Sequence, residues 1–331
     1  MPCSSLGRRG FLATVRNAFS AIAVALLIAI PFFHNGYVTG LFVVVAIDAL
    51  AATGLGILVG AAGEVSLAQA AFMGVGAYAT ALLAGHGWNP WLAIAGATTA
   101  AAVLAVIVGY PTLRLRGHYL TLATLGLGII FVVVLNQASS LTGGPSGYGD
   151  YPQLHLGALS LTGDVPFYAL AWTCVLLAAA GRAVLRASWR GRAMRAIAAS
   201  EVAAASIGIS VRTRKLEAFV LCAIAASIAG SIYAFYVGFI SPTSFGFEQS
   251  IFLLVMVILG GAQKPAGPIF GALLFVLANE ALQALGSHLF PSTAQSAVAA
   301  LQIVAFGVIL IVVVRLLPQG VAGAWLGKVT S

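Results

Sequence analysis

About ten apolar segments follow one another along this chain, separated by short polar connections. An α-helix needs about 20 apolar residues to cross the hydrocarbon core of a membrane, and each segment approaches that length. Only 7% of the residues are charged and the mean hydropathy is +1.04, whereas about 25% of the residues in a soluble domain are charged. The sequence therefore predicts an all-α fold, a polytopic transmembrane helical bundle. The segments are 18–34, 37–60, 66–85, 91–110, 118–136, 166–186, 216–238, 248–263, 267–285 and 297–316.

The basic residues indicate how these segments are oriented. Eight of the 16 Lys and Arg residues lie between Arg182 and Lys215, in a connection flanked by two apolar segments. Lys and Arg collect on the cytoplasmic side of membrane proteins, and ten crossings place the other basic residues on that side as well. These are Arg8, Arg9, Arg16, Arg114, Arg116, Lys264, Arg315 and Lys328.

The same topology predicts the organisation of the whole chain. Both the N-terminus and the C-terminus are expected in the cytoplasm, as a leader of residues 1–17 and a tail of residues 318–331. The membrane domain is residues 18–317, with a cytoplasmic connection at 187–215 and an external one at 137–165. The external connection is rich in Gly and Pro but lacks a Lys at P-loop spacing, so we expect an ordered cap or short hairpin rather than a phosphate site.

No combination of polar residues indicates an enzyme. The sequence holds no HExxH motif, nucleophile elbow or Walker sequence, and its five histidines are scattered. Three cysteines, two of them inside apolar segments, do not fit a disulfide framework or a metal site. The net charge is +8, but basic and aromatic residues are not interleaved, so we expect no nucleic-acid partner. We therefore expect a protein with no catalytic residues, no metal and no cofactor of its own.

Three acids lie within or beside the apolar segments, where a charge costs on the order of 2.5–3.5 kcal/mol on insertion scales. Asp48 is the deepest, Glu280 lies nearer a segment end, and Glu64 begins a polar interruption between two segments. Three interpretations remain open: polar contacts between helices, lining of a translocation path, or proton or ion coupling through Asp48 or Glu280. The candidates for the path are Asp48, Glu64, Ser66, Gln69 and Phe72.

Glycines also mark places where the backbone comes close to other groups. Gly56 with Gly60, and Gly267 with Gly271, have the GxxxG spacing that lets helix backbones approach in lipid. The run GGAQKPAGP at 260–268 cannot continue a lipid-exposed helix. We predict a tight cytoplasmic turn or irregular backbone buried in protein there.

Five ordered blocks make nearly the whole chain after Tyr37 similar to a known family. The blocks are GAAGEVSLAQAAFMGVGAYATALL at 60–83, YPTLRLRGHYLTLATLGLG at 110–128, TGGPSGY at 142–148, GRAMRAIAASEVAAASIGISVRTRKLEAFVL at 191–221 and YVGFISPTSFGFEQSIFLLVMVILGGAQKPAGPIFGALL at 236–274. Through these blocks, in this order, the sequence resembles the permease subunits of bacterial branched-chain amino acid ABC importers, specifically the longer of the two permease types.

The resemblance implies a multi-pass permease of the bacterial inner membrane that works by alternating access with a second permease subunit. It also implies two cytoplasmic ATPase subunits, which hold the ATP and Mg, and a periplasmic substrate-binding protein. The expected substrate is a branched-chain or other hydrophobic amino acid. The chain departs from the family pattern at Glu64, Ala68 and Gln69, where Gln, Gly and His are common. Urea or short amides are therefore alternative substrates, and an ion-coupled secondary transporter using Asp48 or Glu280 is a further alternative.

The resemblance further implies a short cytoplasmic coupling helix, within residues 192–208, that docks in a groove on the ATPase. Spacings of three and four residues agree, because they place five residues on one face of a single helix. These are Met194, Ile197, Glu201, Ala204 and Gly208, the last able to end the helix. Arg192 and Arg195 are expected on another face, toward phosphates or solvent. A solvated loop anchored at the headgroups by its arginines is the alternative.

Overall fold

The structure, a computed structural model, describes residues 36–115, 117–156, 159–160, 163–289 and residue 307. The predicted segments 18–34 and 297–316, the leader, the tail and Arg116 lie outside the described residues, apart from residue 307. The total of ten spans and the cytoplasmic position of both termini therefore stay predictions.

Eleven α-helices occur within the described residues, and the predicted helical membrane bundle is confirmed. Seven helices are long and apolar enough to cross a bilayer, counting α1 with its π-helical turn at Leu58–Ala62 and α10 with the 3₁₀ turn at Pro242–Phe245. Together with the 17-residue α2, they correspond to the eight predicted segments in this part of the chain. The helices are α1 Gly36–Ile57, α2 Gln69–Gly85, α3 Pro90–Thr112, α4 His118–Gln137, α5 Ser139–Thr142, α6 Asp164–Ala187, α7 Trp189–Ala199, α8 Glu201–Ser206, α9 Val211–Val237, α10 Phe247–Gly260 and α11 Gly267–Leu289.

Helices α1 and α9 form the centre of the bundle. Helix α9 packs against α1, α2 and α3, while α1 also packs against α6, α10 and α11. Apart from Asp48 in α1 and the charged first two turns of α9, both central helices are apolar or small-residue on every side, which is typical of helices surrounded by protein. Helices α3 and α4 leave many large apolar side chains exposed, as expected of surfaces that face lipid or another membrane subunit.

Small residues allow neighbouring helices to approach closely, as predicted for Gly271. A Cβ atom at Gly76 would collide with the backbone of Ser227, and one at Gly230 would collide with the carbonyl of Met73, so α2 and α9 are in backbone contact. Gly271 approaches the carbonyl of Met256 in the same way, which brings α10 and α11 together. In lipid such close packing replaces the hydrophobic effect as the main source of helix association.

The connection between α4 and α6 forms an ordered cap at one end of the bundle, in agreement with the prediction. Strands β2 His155–Leu156 and β3 Leu159–Ser160 pair as an antiparallel hairpin. Strand β1 Tyr148–Gly149 pairs antiparallel with β4 Phe239–Ile240, which follows α9. The hydroxyl of Tyr151 donates a hydrogen bond to the carbonyl of Ala234 at 2.6 Å. We call this end the outer end, after its predicted external location.

Connections predicted to be cytoplasmic meet at the opposite end, which we call the inner end. There Arg182 donates to the carbonyl of Ala262, Arg212 donates to the carbonyl of Tyr110 at 2.8 Å, and Gly63 lies against Ala198. Residues 63–68, the α3–α4 connection, the α6–α9 connection and the turn at 261–266 are therefore neighbours.

Candidate functional site

Lys215 is held between two carboxylates at the inner end. Its Nζ donates to Oε1 of Glu64, in the α1–α2 connection, and to Oε1 of Glu201 at 2.6 Å, in the first turn of α8. Lys215 is only 2% exposed and Glu64 only 7%. We call these three residues the inner ion cluster. A lysine buried to this degree needs such partners, because an unpaired charge in the interior is costly.

The inner ion cluster joins parts of the chain that are far apart in sequence. Glu64 and Lys215 are separated by 151 positions. Glu201 belongs to the α6–α9 connection, which contains α7 and α8, while Lys215 is the fifth residue of the central helix α9. The cluster therefore links the α7–α8 pair, the central helix and the α1–α2 connection at a single ammonium group.

The α1–α2 connection, residues 63–68, has no regular secondary structure. Its backbone is held by side chains of surrounding helices instead: Thr124 accepts from Leu67 N at 3.0 Å, and Thr121 donates to the carbonyl of Val65 at 3.4 Å. At the start of α2, Ser250 accepts from Ala70 N at 3.0 Å. Irregular backbone at such a place is tolerated because protein groups satisfy its hydrogen bonds. The connection is thus fastened to both α4 and α10.

Gln69 and Phe72, two of the path candidates, are packed inside this chain. Nε2 of Gln69 donates to the carbonyl of Ala51 at 2.8 Å, and its Oε1 accepts from Sγ of Cys222 at 2.8 Å. The ring of Phe72 meets that of Phe219 edge to face at 5.4 Å between centroids. For Gln69, these are the polar contacts between helices that the sequence left open as one interpretation.

The remaining path candidates are also buried. Ser66 is 2% exposed, and its Oγ accepts from the backbone N–H of Ala68. Asp48 lies on α1 and accepts a hydrogen bond from Nε2 of Gln249 at 3.1 Å. Glu280 lies apart from both, at the outer end, where the hydroxyl of Tyr37 donates to its carboxylate. The assignment of Asp48, Glu64, Ser66, Gln69 and Phe72 to a translocation path stays a prediction, as does ion coupling by Asp48 or Glu280.

The predicted coupling segment is two helices, so the expectation of one continuous helix is wrong. Helix α7 ends at Ala199 and α8 begins at Glu201. Between them Ser200 has an extended backbone, and its Oγ accepts from the N–H of Ala203 at 3.3 Å. Such N-capping by Ser favours a new helix start over continuation. Gly208 does end the segment, with a φ of 82°, as glycine commonly does after a helix.

The predicted docking face is turned toward the protein's own bundle. Met194, Ile197 and Ala204 are each at most 2% exposed, and Glu201 is engaged with Lys215. Two apolar residues outside this face are exposed instead: Val202 in α8 is 76% accessible, and Ile207, which follows the last residue of α8, is 72% accessible. Spacing could not show that this chain itself covers most of this face. The assignment of these residues to ATPase docking stays a prediction.

Arg192 and Arg195 contact protein carbonyls. Arg192 Nη1 donates to the carbonyl of Ala187 at 2.7 Å, and Arg195 Nη1 donates to that of Arg186 at 2.8 Å. Both acceptors lie in the last turn of α6, where cationic groups are stabilised by unsatisfied carbonyls and by the helix dipole. The two arginines therefore fix the angle between α6 and α7, in addition to any contact with solvent.

Arg182, which the sequence indicated only as a topology marker, is a second buried cation at the inner end. It lies on α6, is 2% exposed, and donates to the carbonyls of Gly56, Ala262 and Pro265, at 3.0 Å for Gly56. Gly60 leaves room for this contact, since a Cβ there would collide with the carbonyl of Ala262. The Gly56 and Gly60 pair thus accommodates a guanidinium, the turn at 261–266 and Pro268 in the first turn of α11.

A signal for the burial of Lys215 exists in the sequence. Residues three, four and seven positions after Lys215 are Ala218, Phe219 and Cys222, so its helix face is apolar. A charged residue on an apolar helix face points toward the bundle rather than toward solvent.

An open groove of about 410 Å³ lies at the outer end, between α1, α6 and α9. Tyr37, Asp164 and Tyr236 provide its polar groups, and Tyr236 donates a hydrogen bond to Asp164 at 3.0 Å. In the described part of the chain, the groove included, no cluster of three or more His, Cys, Asp or Glu residues could hold a metal ion.

Comparisons with known proteins find similarity along most of the sequence. Residues 37–314 match a family described as branched-chain amino acid transport system, permease component. The high-affinity branched-chain amino acid transport system permease protein LivM of Escherichia coli (strain K12) is 33% identical over 297 residues, covering 82% of this chain and 69% of that protein. LivM of Salmonella typhimurium is 31% identical with the same coverage. The probable ABC transporter permease protein y4mJ of Sinorhizobium fredii is 26% identical over 208 residues, 59% of this chain and 61% of that protein. No solved structure matches the chain.

Proposed function

The chain belongs to the family of permease components of branched-chain amino acid transport systems, and from this premise we propose that it forms part of an ATP-driven importer. In this proposal the protein is a multi-pass subunit of a bacterial inner membrane. Together with a second permease subunit it builds the translocation path for branched-chain or other hydrophobic amino acids. It is a transport subunit, and two cytoplasmic ATPase subunits bind ATP and Mg. A periplasmic binding protein delivers the substrate.

The proposed coupling to ATPases rests on one observation, the exposed apolar residues in α8 and directly after it. Val202 and Ile207 protrude from the inner end, outside the bundle, and lie on the side where positive charge indicates the cytoplasm. Exposed apolar side chains on a short cytoplasmic helix are suited to a hydrophobic groove of a partner, the helix-in-groove mode of recognition. Val202 and Ile207 are therefore the proposed docking residues, and Met194, Ile197 and Ala204 support them from inside.

The proposed transport cycle is alternating access around the two permeases. Closure of the ATPase pair moves α7 and α8, and this displacement changes the packing of the helices that surround the path. The irregular connection at 63–68 supports a place for the path near Glu64, Ser66 and Gln69, because irregular backbone in a membrane is found where protein buries it or where it lines a cavity. Contact with substrate in such a path is brief, and the binding protein provides most of the selectivity.

Reconstitution tests the function. The chain is assembled in vesicles with its second permease, its ATPase subunits and its binding protein, and uptake of radiolabelled leucine, isoleucine and valine is measured. We expect uptake that requires both ATP and the loaded binding protein. Urea and short amides, offered as competitors, test the alternative substrates. Uptake by this chain alone, driven by an ion gradient and abolished in Asp48→Asn or Glu280→Gln, would overturn the proposal.

The docking residues are tested separately. Val202→Asp and Ile207→Asp place a charge on the proposed contact surface without touching the buried side of α8. We expect the ATPase subunits to be lost during affinity purification of the variant complex, while the second permease is retained. Val165→Asp is a matched control, because Val165 is an exposed apolar residue at the outer end. ATPase retention by both α8 variants would refute this docking surface.

A further inference from the structure

We infer that Lys215 is a positioning residue that transmits displacement of α7 and α8 to the α1–α2 connection, through its ion pairs with Glu201 and Glu64. The inference rests on the proposed function, because it assumes that an ATPase moves these helices. It adds a route for that movement inside the permease. The route leads from the cytoplasmic surface to residues 63–68.

The first step of the route is short and charged. Glu201 begins α8, one residue from the exposed Val202, and its Oε1 is 2.6 Å from Nζ of Lys215. The side chain of Glu201 is 27% exposed, whereas that of Lys215 is 3% exposed. A movement of α8 by a few ångströms therefore changes the distance between these two charges at once. Coulomb interactions between partly buried charges respond strongly to such changes.

The second step passes from Lys215 to Glu64. Both side chains are almost fully buried, and Nζ of Lys215 contacts Oε1 of Glu64 directly. Separation of the pair would leave a buried charge without its partner, which is strongly unfavourable. When Glu201 withdraws and Lys215 shifts, Glu64 is therefore constrained to follow Lys215. This response displaces the carboxylate that stands in the α1–α2 connection.

The third step distributes the movement among the helices. Residues 63–68 have no helical hydrogen bonds among themselves. Their backbone is tied to the end of α1 by bonds from Gly63 and Glu64 to the carbonyl of Leu58, and to α4 by Thr121 and Thr124. The first turn of α2 is held by Ser250 on α10. Each side-chain anchor is a single hydrogen bond, so a shift of Glu64 can exchange these bonds without unfolding a helix. The connection thus couples α2, α4 and α10 to the cluster.

The same contacts could have a purely structural role, and the tests separate the two. A structural role predicts that replacing the whole cluster by neutral residues restores normal transport once the protein folds. A transmitting role predicts that the folded neutral variant hydrolyses ATP but imports little substrate. The informative variants are Glu64→Gln, which preserves side-chain shape, and the triple variant Glu64→Gln/Glu201→Gln/Lys215→Met, which removes all three charges of the cluster.

The experiment measures coupling in the complete reconstituted complex. Amino acid uptake and ATP hydrolysis stimulated by the loaded binding protein are followed in the same vesicles. We expect the uptake per ATP hydrolysed to fall about tenfold in Glu64→Gln and in the triple variant. A change of this size lies within the range of coupling factors that is typical of linked sites. Lys264→Met, which removes a lysine from the same end outside the cluster, is the matched control and should keep the wild-type ratio. An unchanged ratio in the triple variant would overturn the inference.

A second measurement follows the movement itself. Hydrogen–deuterium exchange of the complex in nanodiscs is compared with and without a non-hydrolysable ATP analogue. In the wild type we expect exchange to change both at 201–206 and at 63–68. In the triple variant the change should be confined to 201–206, and a response at 63–68 as large as in the wild type would contradict the inference. Failure of the wild-type complex to import would refute the proposed function instead, so the two failures are distinguishable.

Discussion

The two ends of the bundle are fastened by different chemistry. At the inner end, buried cations hold irregular segments: Lys215 binds two carboxylates, and Arg182 binds three carbonyls. At the outer end, aromatic rings and paired strands form the cap. The hydroxyl of Tyr151 donates to Ala234, and its ring stacks on that of Tyr148 at 6.1 Å. Burial raises the pKa of Tyr151, so this hydroxyl keeps its proton and stays a donor.

The difference shows what each end can do. Packed rings and backbone pairs lose their contacts when they move, so the outer cap favours one arrangement. An ammonium or guanidinium group can exchange one oxygen acceptor for another while it stays paired. The inner end therefore combines tight fastening with the ability to change partners, which suits the end where we propose that ATPases act.

Of the substitutions that compare the two ends, Arg182→Met at the inner end is expected to lower the free energy of unfolding most. The substitution leaves the carbonyls of Gly56, Ala262 and Pro265 without their shared donor in a buried site. We expect the free energy of unfolding to fall by about 3 kcal/mol, since hydrogen bonds from charged groups are strong and buried acceptors are costly to leave unpaired. Unfolding of the purified chain in mixed detergent and SDS micelles measures this. Arg190→Met, at an exposed position, should change stability little, and equal losses in both variants would contradict the assignment.

A smaller effect is expected at the outer end, from Tyr151→Phe. This change removes one neutral hydrogen bond to Ala234 but keeps the ring contacts with Tyr148 and Phe235. We expect a loss of about 1 kcal/mol in the same unfolding assay, with unchanged uptake per ATP hydrolysed in the complete complex. Tyr119→Phe, at a position 74% exposed, is the control. A loss of coupling in Tyr151→Phe would mean that the outer cap also takes part in transmission.

The smallest effect is expected one residue before Lys215. Arg214 and Glu217 form an ion pair at 2.7 Å, but their side chains are 14% and 33% exposed. Because solvent screens such pairs, we expect Glu217→Gln to cost about 0.5 kcal/mol or less, and less still at high salt. The same substitution at the buried Glu64 should cost several times more. Similar losses at both positions would show that burial does not distinguish the two pairs.

The sequence by itself determined the membrane bundle and the positions of its helices. Helix α4 begins and ends within one residue of the segment predicted at 118–136, and the cap at the outer end was expected from its Gly and Pro residues. These features are local, because the length and hydropathy of one segment are enough to make it a membrane helix. Ordered blocks of residues also identified the family, which the comparisons then established.

Only the tertiary structure decided which polar groups meet. Glu64 was predicted near a path and Glu201 on a docking face, yet both bind Lys215, which the sequence indicated only as a marker of orientation. Beyond Asp48 and the charged first two turns of α9, the central helices are apolar on every side, so their sequences carry no stripe that shows which neighbour each side chain faces. The break at Ser200 was not predicted for a similar reason. Its advantage arises in the tertiary structure, where it lets α7 and α8 bury separate faces. Long-range pairing of buried charges is set by the packing of helices distant in sequence, and no local pattern records it.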